Sequence, residues 1–508
     1  MKLKELCRAA GIECPTEAAN ELIEQIVTDS QKTAEGTLFV CIRGLHTDGH
    51  TYITDAVKNG CRCIVVEEDA VFPCFPDVHY LIAKSTRRAA ARLYHAWYGF
   101  PTEHMKMIGV TGTNGKTSVT YLLRAILQAA GHRCGLIGTV GCESVGRQIA
   151  LNLSNRLANM TTPDPEALYA ALARMKRDSV EYVLMEVSSH ALSMGRVDPI
   201  RFDTAIFTNL SPEHLDFHQT MEDYADAKAQ LFENSKLSII NLDSPYAERM
   251  MHASAGTVIT CSQKQHADYA ACVAEPPTMK GVSYDLRRHG ARLRIDCPIP
   301  CEFSVMNSMQ AAVAALEFGI DPEIVQKTLR DFSGVRGRME HVALDPEADF
   351  SVWIDYAHTP DALEKLLQSV SVRKREGGRI VLLFGCGGDR DRTKRPEMGK
   401  IASTYADFVI VTSDNSRGED PHSIIEEILA GMDSDTPRCV IVDRAEAIGF
   451  AVRSAKPKDV ILLAGKGHEE YEIRRDERIP FCEKELVQAA YAKRIEQRTN
   501  KKEKESDS

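Results

Sequence analysis

The chain has 508 residues, with 62 Lys and Arg against 72 Asp and Glu, a formal net charge of −10. At roughly 100–200 residues per domain, that length predicts three domains rather than one. Hydrophobic residues at 44% and charged residues at 26% are ordinary for globular proteins, which excludes wholesale disorder, and the acidic balance excludes a generic nucleic-acid or anionic-membrane surface.

The first residues, MKLKELCRAAGIECPTEAANELIE, are broken by charges and offer no 7–15-residue apolar stretch, so no signal peptide is expected. No run of 18 apolar residues occurs, so no spanning helix is expected either. The 15 cysteines are scattered, without a C-x-x-C pair, and read as reduced thiols of a cytoplasmic protein. Short apolar runs such as Thr37–Ile42 and Cys61–Glu67 alternate with helical stretches, which predicts a small α/β domain over residues 1–100.

A second region, 101–334, opens on the apolar strand MKMIGV, passes through TGTNGKT and enters SVTYLLRAILQAAG. In that last stretch Val119, Leu122, Leu123, Ile126, Leu127 and Ala130 recur at three- and four-residue steps, one apolar helix face that Gly131 ends. Glycines let a backbone wrap a phosphate, and the amides of a helix N-terminus attract anions. Gly112, Thr113, Asn114, Gly115, Lys116 and Thr117 therefore form a candidate ATP-binding loop, with Lys116 for the β/γ-phosphates and Thr117 for Mg²⁺. Val110 stands where the strict phosphate-loop pattern has its first glycine.

Buried-type strands follow at Val180–Val187 and Thr204–Asn209. Glu186 ends the first of them, a place for a Mg²⁺-binding carboxylate or equally for a solvated or capping one. TNLSPEHLDFH carries His214, which on spacing alone reads more readily as a hydrogen-bonding residue than as a metal ligand. Lys228, in EDYADAKAQLF, reads by itself as a solvated helix lysine. Residues 278–303 alternate polar and apolar around an HG turn and predict a β-hairpin. The third region, 335–495, places strands at Arg379–Gly385, Phe408–Ser413, Cys439–Asp443 and Asp459–Gly465 with helices between, a doubly wound parallel sheet whose ligands belong beyond the C-terminal strand ends. The charged residues 496–508 read as a disordered tail.

GTNGKT, EVSSHAL, TNLSPEHLDFH with a Lys fourteen residues after its first His, VRGRME, DYAHTPDAL, GCGGDRDRTKRPEMG and AGKGHEEYE occur in that order. Together they resemble the Mur ligase family over residues 25 to 485. The resemblance implies an α/β chain of three domains: a UDP-binding N-terminal domain, a central P-loop-type ATPase domain with a parallel sheet and a C-terminal Rossmann-like domain. It implies an ATP- and Mg²⁺-dependent ligase that adds meso-2,6-diaminopimelate to the D-glutamate side-chain carboxylate of UDP-N-acetylmuramoyl-L-alanyl-D-glutamate through an acyl phosphate, in peptidoglycan precursor synthesis. A monomer is expected.

The resemblance further implies that Lys228 is carbamylated and joins His214 around one Mg²⁺, while Thr117 and Glu186 serve another. Asn307, Arg338 and Asp355 match ATP-contacting positions. Ser30, Leu45, His46, Thr47, Thr161, Thr162, Ser188 and Arg196 match UDP-substrate positions, with Gln31, Met160 and Met194 departing from residues frequent in the family. Arg390, Asp414, Asn415, Ser416, Arg417, Gly465 and Glu469 match the amino-acid pocket, with Ser416 in place of a usual Pro, and Glu469 expected to meet an ammonium group. Diaminopimelate carries a second carboxylate that a guanidinium can pair with bidentately, and lysine carries none. Lysine as the added amino acid, a folate-directed ligase and a non-catalytic precursor sensor are the competing readings. The last predicts eroded catalytic positions, yet Lys116, Glu186, His214 and Lys228 are all present.

Overall fold

The computed structural model describes residues 1–44, 47–150, 160–371, 377–475 and 477–506. They pack as two compact units. One comprises Met1–Gly112, Leu123–Asn209 and Thr220–Thr260, the other Thr113–Leu122, Leu210–Gln219 and Cys261–Ser508.

In the first unit, the N-terminal residues build a parallel sheet of Gln25–Val27, Thr37–Val40, Cys63–Glu67 and His79–Ala83. Its apolar face, with Phe39, Ile64 and Val66, closes over Ile53 and Ala56 of the helix Ile53–Lys58. Helix Thr86–Trp97 then brings Arg88 and Arg92 to Asp198, at 2.5 and 2.6 Å. A second parallel sheet has Lys106–Thr111 at its centre, flanked by Phe202–Phe207 and Tyr182–Glu186, with Ser235–Asn241 and Cys134–Gly138 outside them. These strands are buried on both faces and therefore read as continuous apolar runs rather than alternating ones. Helices Pro165–Arg177 and Met221–Glu233 belong to this unit and carry their own N-caps, Asp164 and Thr220.

In the second unit, the antiparallel pair Val282–Arg288 and Ala291–Cys297 turns at His289 and Gly290, where the sequence predicts a hairpin. The large sheet runs Glu340–His341, Ser351–Asp355, Val460–Ala464, Ile380–Phe384, Phe408–Val411, Arg438–Val440 and is parallel except for its first edge. Each buried aliphatic side chain in this layer, such as Leu383 or Ile461, contributes about 1.5–3 kcal/mol. Strands Phe408–Val411 and Arg438–Val440 end two and three residues before the expected ends at Ser413 and Asp443, because the chain leaves the ladder there to form loops at the C-terminal edge. The last helix, Glu483–Ser506, extends into the segment whose charge sets an expectation of disorder.

A buried ion pair anchors that helix. Arg444 is fully buried and donates to Glu483 at 2.9 Å, to the Ala464 carbonyl at 2.9 Å and to the Ser413 carbonyl at 3.3 Å. Removing one partner leaves an uncompensated buried charge. Arg444→Ala is therefore expected to destabilise the protein by about 3–5 kcal/mol in urea unfolding, far more than any surface arginine.

Candidate active site

Strand Lys106–Thr111 delivers the chain into the phosphate loop, and helix Lys116–Ala129 leaves it. Gly112 has φ +144°, and a Cβ there would lie 1.9 Å from Thr208 Oγ1. Gly115 has φ +89°, and a Cβ there would lie 2.5 Å from Asn307 Oδ1. Neither position admits a side chain. Lys116 Nζ donates to the Thr113 carbonyl at 2.8 Å, folding the ammonium back over the loop. Asn307, buried on helix Phe303–Glu317, faces Gly115.

Arg338 and Asp355 also meet at this loop. Arg338 Nη2 donates to Thr117 Oγ1 at 3.3 Å, and its guanidinium lies over the Tyr356 ring at 4.6 Å. Its Nε is buried with no hydrogen-bond partner among the described residues. Asp355 ends strand Ser351–Asp355 and accepts from the Met339 and Ala357 amides, both at 2.8 Å. Burial raises its carboxyl pKa, and the Arg338 charge offsets only part of that. A glycine cradle that a Cβ would fill, a lysine at its rim and an arginine with an unsatisfied buried N–H together fit a bound polyphosphate.

Glu186 is fully buried, which excludes a solvated carboxylate. Its oxygens accept from Thr139, from the amide at 3.0 Å and from Oγ1 at 3.0 Å. Lys228 is 1% exposed, which overturns the solvated-lysine reading of its sequence context. Its Nζ donates to the Gly112 carbonyl at 2.9 Å and lies over the Tyr224 ring at 4.6 Å. His214 is partly exposed and left-handed, with φ 58°, at the start of the short helix Leu215–His218. Its ring stands 3.8 Å from Glu213.

At the opposite functional end of the sequence pattern, Ser30 opens a 3₁₀ turn that Asp29 caps through the Gln31 amide. Leu45 and His46 lie outside the described residues, and the Thr47 carbonyl accepts from the Gly44 amide at 2.7 Å. Thr161, Thr162, Ser188 and Arg196 do come together. Thr162 Oγ1 donates to the Glu186 carbonyl at 2.9 Å and accepts from the Ser188 amide at 3.0 Å. Thr161 Oγ1 reaches Thr139 Oγ1 at 3.3 Å. Arg196 donates to the Thr162 carbonyl at 2.8 Å and touches the sulfurs of Met160 and Met194 at 3.2 and 3.5 Å. The two departures at 160 and 194 are thus a single packed contact around one guanidinium, which spacing along the chain does not reveal.

The loop after strand Phe408–Val411 holds a buried charge network. Asp414, Asn415 and Ser416 are buried. Asn415 Nδ2 donates to Glu469 at 2.7 Å, and Gly465, at φ +111°, leaves no room for a Cβ beside Asp414. Lys466, which the sequence reading passed over inside AGKGHE, is fully buried and stands 3.5 Å from Asp414, 3.0 Å from Asn415 Oδ1 and 3.6 Å from Glu469. Glu469 therefore already faces an ammonium of its own chain. Burial pushes the Asp414 pKa upward, but Lys466 and Arg444 outweigh it and the net shift is down. For Glu469 burial dominates, Asp414 adds to it, and the net shift is up.

Arg390 and Arg417 sit on the rim of this network. Arg417 donates to the Gly388 carbonyl at 2.8 Å, and Arg390 to the Asp389 carbonyl at 2.9 Å. Burial lowers the Arg390 pKa and the neighbouring Arg417 charge lowers it further. Neither guanidinium forms an ion pair among the described residues. Two adjacent guanidiniums whose direct hydrogen bonds go to carbonyls keep N–H groups with which to meet an anionic ligand.

Acid should loosen this half of the protein in two stages. Burial, then Lys394, depresses the His358 imidazole from 6.5 to about 4, so the unfolded chain takes up that proton first and stability falls as pH drops below 6.5. The Arg395 hydrogen bond holds the Glu419 carboxyl at about 2 against 4.5, so that contribution, complete above 4.5, is lost between 4.5 and about 2. Melting temperature is expected to decline from near pH 6.5 and to go on declining below 4.5, the upper limb set by His358 and the lower by Glu419. His358→Phe should flatten the upper limb only.

All 15 cysteines are free thiols, and among the described residues no helix is long and apolar enough to cross a membrane. Three family descriptions match in chain order: "Mur ligase family, catalytic domain" over residues 22–95, "Mur ligase middle domain" over 110–315 and "Mur ligase, glutamate ligase domain" over 337–467. The chain is 40% identical over 467 residues to the UDP-N-acetylmuramoyl-L-alanyl-D-glutamate–2,6-diaminopimelate ligase of Clostridium botulinum, covering 92% of this chain and 94% of that one. It is 41% identical over 472 residues to the protein of the same name from Caldanaerobacter subterraneus, covering 92% and 95%. A solved structure of a ligase with that name superposes with TM-score 0.67 at 29% identity, covering 97% of this chain and all of the other. A Mycobacterium tuberculosis folylpolyglutamate synthase shares the fold at 18% identity, with TM-score 0.60 over 81% of this chain and 94% of that one.

Proposed function

The chain belongs to the Mur ligase family, and on that premise we propose that it joins meso-2,6-diaminopimelate to the D-glutamyl side-chain carboxylate of UDP-N-acetylmuramoyl-L-alanyl-D-glutamate. The product is a precursor of peptidoglycan, and a cytoplasmic location goes with ATP as a reactant. Residues 1–100, 101–334 and 335–495 are its three working domains, for the UDP-substrate, the nucleotide and the amino acid. The observation that carries the choice of amino acid is the pair Arg390 and Arg417, which form no direct ion pair among the described residues, beside the Asp414–Lys466–Glu469 network.

ATP with magnesium, when bound, supplies the phosphoryl group that makes the carboxylate an acyl phosphate. The residues of this chain prepare that exchange. Gly112, Thr113, Asn114, Gly115 and Thr117 shape the loop around a triphosphate, and Lys116 and Arg338 bring cations to it. Asn307 closes the loop side against the base, and Asp355 holds the Arg338 segment by its backbone amides. The resemblance to the family assigns Thr117 and Glu186 to one Mg²⁺ and His214, with Lys228 as a carbamate, to the other. Carbamylation converts a buried cation at the Gly112 carbonyl into an anion, the charge a metal site requires. Ser30, Leu45, His46, Thr47, Thr161, Thr162, Ser188 and Arg196 bind the UDP-substrate. Arg390 and Arg417 take the distal carboxylate of diaminopimelate, and Asp414, Asn415, Ser416, Gly465 and Glu469 orient its amino-acid end.

The test is direct. Purified protein with both substrates, ATP and magnesium should release ADP and form the UDP-tripeptide. Release of neither product would sink the reading.

A further inference from the structure

We propose that Asp361 is a positioning residue that ties the phosphate loop to the amino-acid-binding domain, so that the nucleotide is used only when that domain is docked. The inference rests on the ligase reading above. Asp361 lies in the first turn of helix Pro360–Ser371. Its Oδ2 accepts from Asn114 Nδ2 at 2.9 Å and from Ser211 Oγ at 2.9 Å. Asn114 is part of the phosphate loop, and Ser211 begins the segment that carries Glu213 and His214. Those two segments are already stitched together. Thr113 Oγ1 donates to the Ser211 carbonyl at 3.2 Å and accepts from the Ser211 amide at 3.0 Å.

An acidic residue in a first helical turn has an ordinary explanation, the helix dipole and the unpaired amides. Here that role is filled elsewhere, because Thr359 Oγ1 accepts from the Ala362 amide at 3.3 Å. The Asp361 oxygens point instead to side chains of the phosphate loop and its neighbour. Lys365, one turn along, lies 2.7 Å from Oδ1 and 2.8 Å from Oδ2. It balances the carboxylate, so the negative charge beside the loop does not oppose a triphosphate. The same stretch of chain begins at Asp355, which holds the Arg338 segment, and Arg338 reaches Thr117. The domain bearing Arg390 and Arg417 thus contacts the loop at both Thr117 and Asn114.

Without the Asp361 contact the loop can act while the amine is unplaced. Water then attacks the activated carbonyl and returns the free carboxylate and phosphate, leaving ADP with no new amide bond. Wild type should form one ADP per tripeptide. Asp361→Ala is expected to lower tripeptide formation about 10- to 100-fold, with ADP formed in excess of tripeptide. Asp361→Asn keeps an acceptor oxygen and should restore most of the coupling. Ser211→Ala should shift the ratio the same way to a smaller degree.

A purely structural role would lower the melting temperature and reduce both products together at a ratio of one. That result overturns the proposal, as does full coupling in folded Asp361→Ala. If wild type itself forms no tripeptide, the ligase reading and the role built on it fall together. Coupled wild type with coupled Asp361→Ala removes only the latter.

Discussion

Lys228→Ala, purified and folded, is expected to lose about 10³-fold in kcat, the scale on which removing a key electrostatic stabiliser acts in an active site. The residue is buried, its Nζ lies 2.9 Å from the Gly112 carbonyl, and its aromatic neighbour is Tyr224. If it acts as a carbamate, the alanine variant lacks an anion in a cavity of carboxylate size. Short carboxylic acids such as acetate or propionate should then restore part of the activity in a saturable manner, and chloride should not. A merely packed lysine predicts a different pattern: lower stability, no rescue, and near-wild-type turnover in the protein that remains folded. Lys228→Met keeps the volume and separates the two effects. Full turnover in either folded variant would remove the carbamate from the mechanism.

Selectivity for the added amino acid should be set by Arg417. At equal concentration, phosphate release by the wild type is expected to be much faster with meso-diaminopimelate than with L-lysine. Arg417→Ala should reduce kcat/KM for diaminopimelate about 100-fold, equivalent to about 2.7 kcal/mol, and leave the slow reaction with lysine little changed. The reason lies in the Gly388 and Asn415 carbonyls, which fix the guanidinium at 2.8 and 3.4 Å without neutralising it. With diaminopimelate the charge meets a carboxylate. With lysine it meets an apolar stem or a second cation, a mismatch that Arg390 nearby makes worse. The serine at 416 does not weaken this expectation, because the Arg417 backbone is held by Ile473 and Arg475 in place of a ring constraint. Preference of the wild type for lysine would overturn it.

The amino-acid sequence by itself determined the local architecture and, through its motifs, the family. The buried strands, the hairpin at His289–Gly290, the glycine loop ahead of an amphipathic helix and the alternation that makes a parallel sheet all depend on neighbours in the chain, where periodicity and turn residues act. The glycine loop puts Lys116 and Thr117 at its rim for the same reason, whereas Glu186, Arg417 and Glu469 are expected only from the resemblance to the Mur ligase family. What only the tertiary structure decided depends on residues far apart in sequence. Lys228 reads as a solvated lysine until helix Met221–Glu233 buries it against Gly112. Met160 and Met194 look like separate departures until Arg196 joins them. Lys466 and Arg444, both buried, and the part-buried Asp361 carry no signal of their own, because each takes its role from a partner 39 to 247 residues away, and that meeting is a property of the packed chain alone.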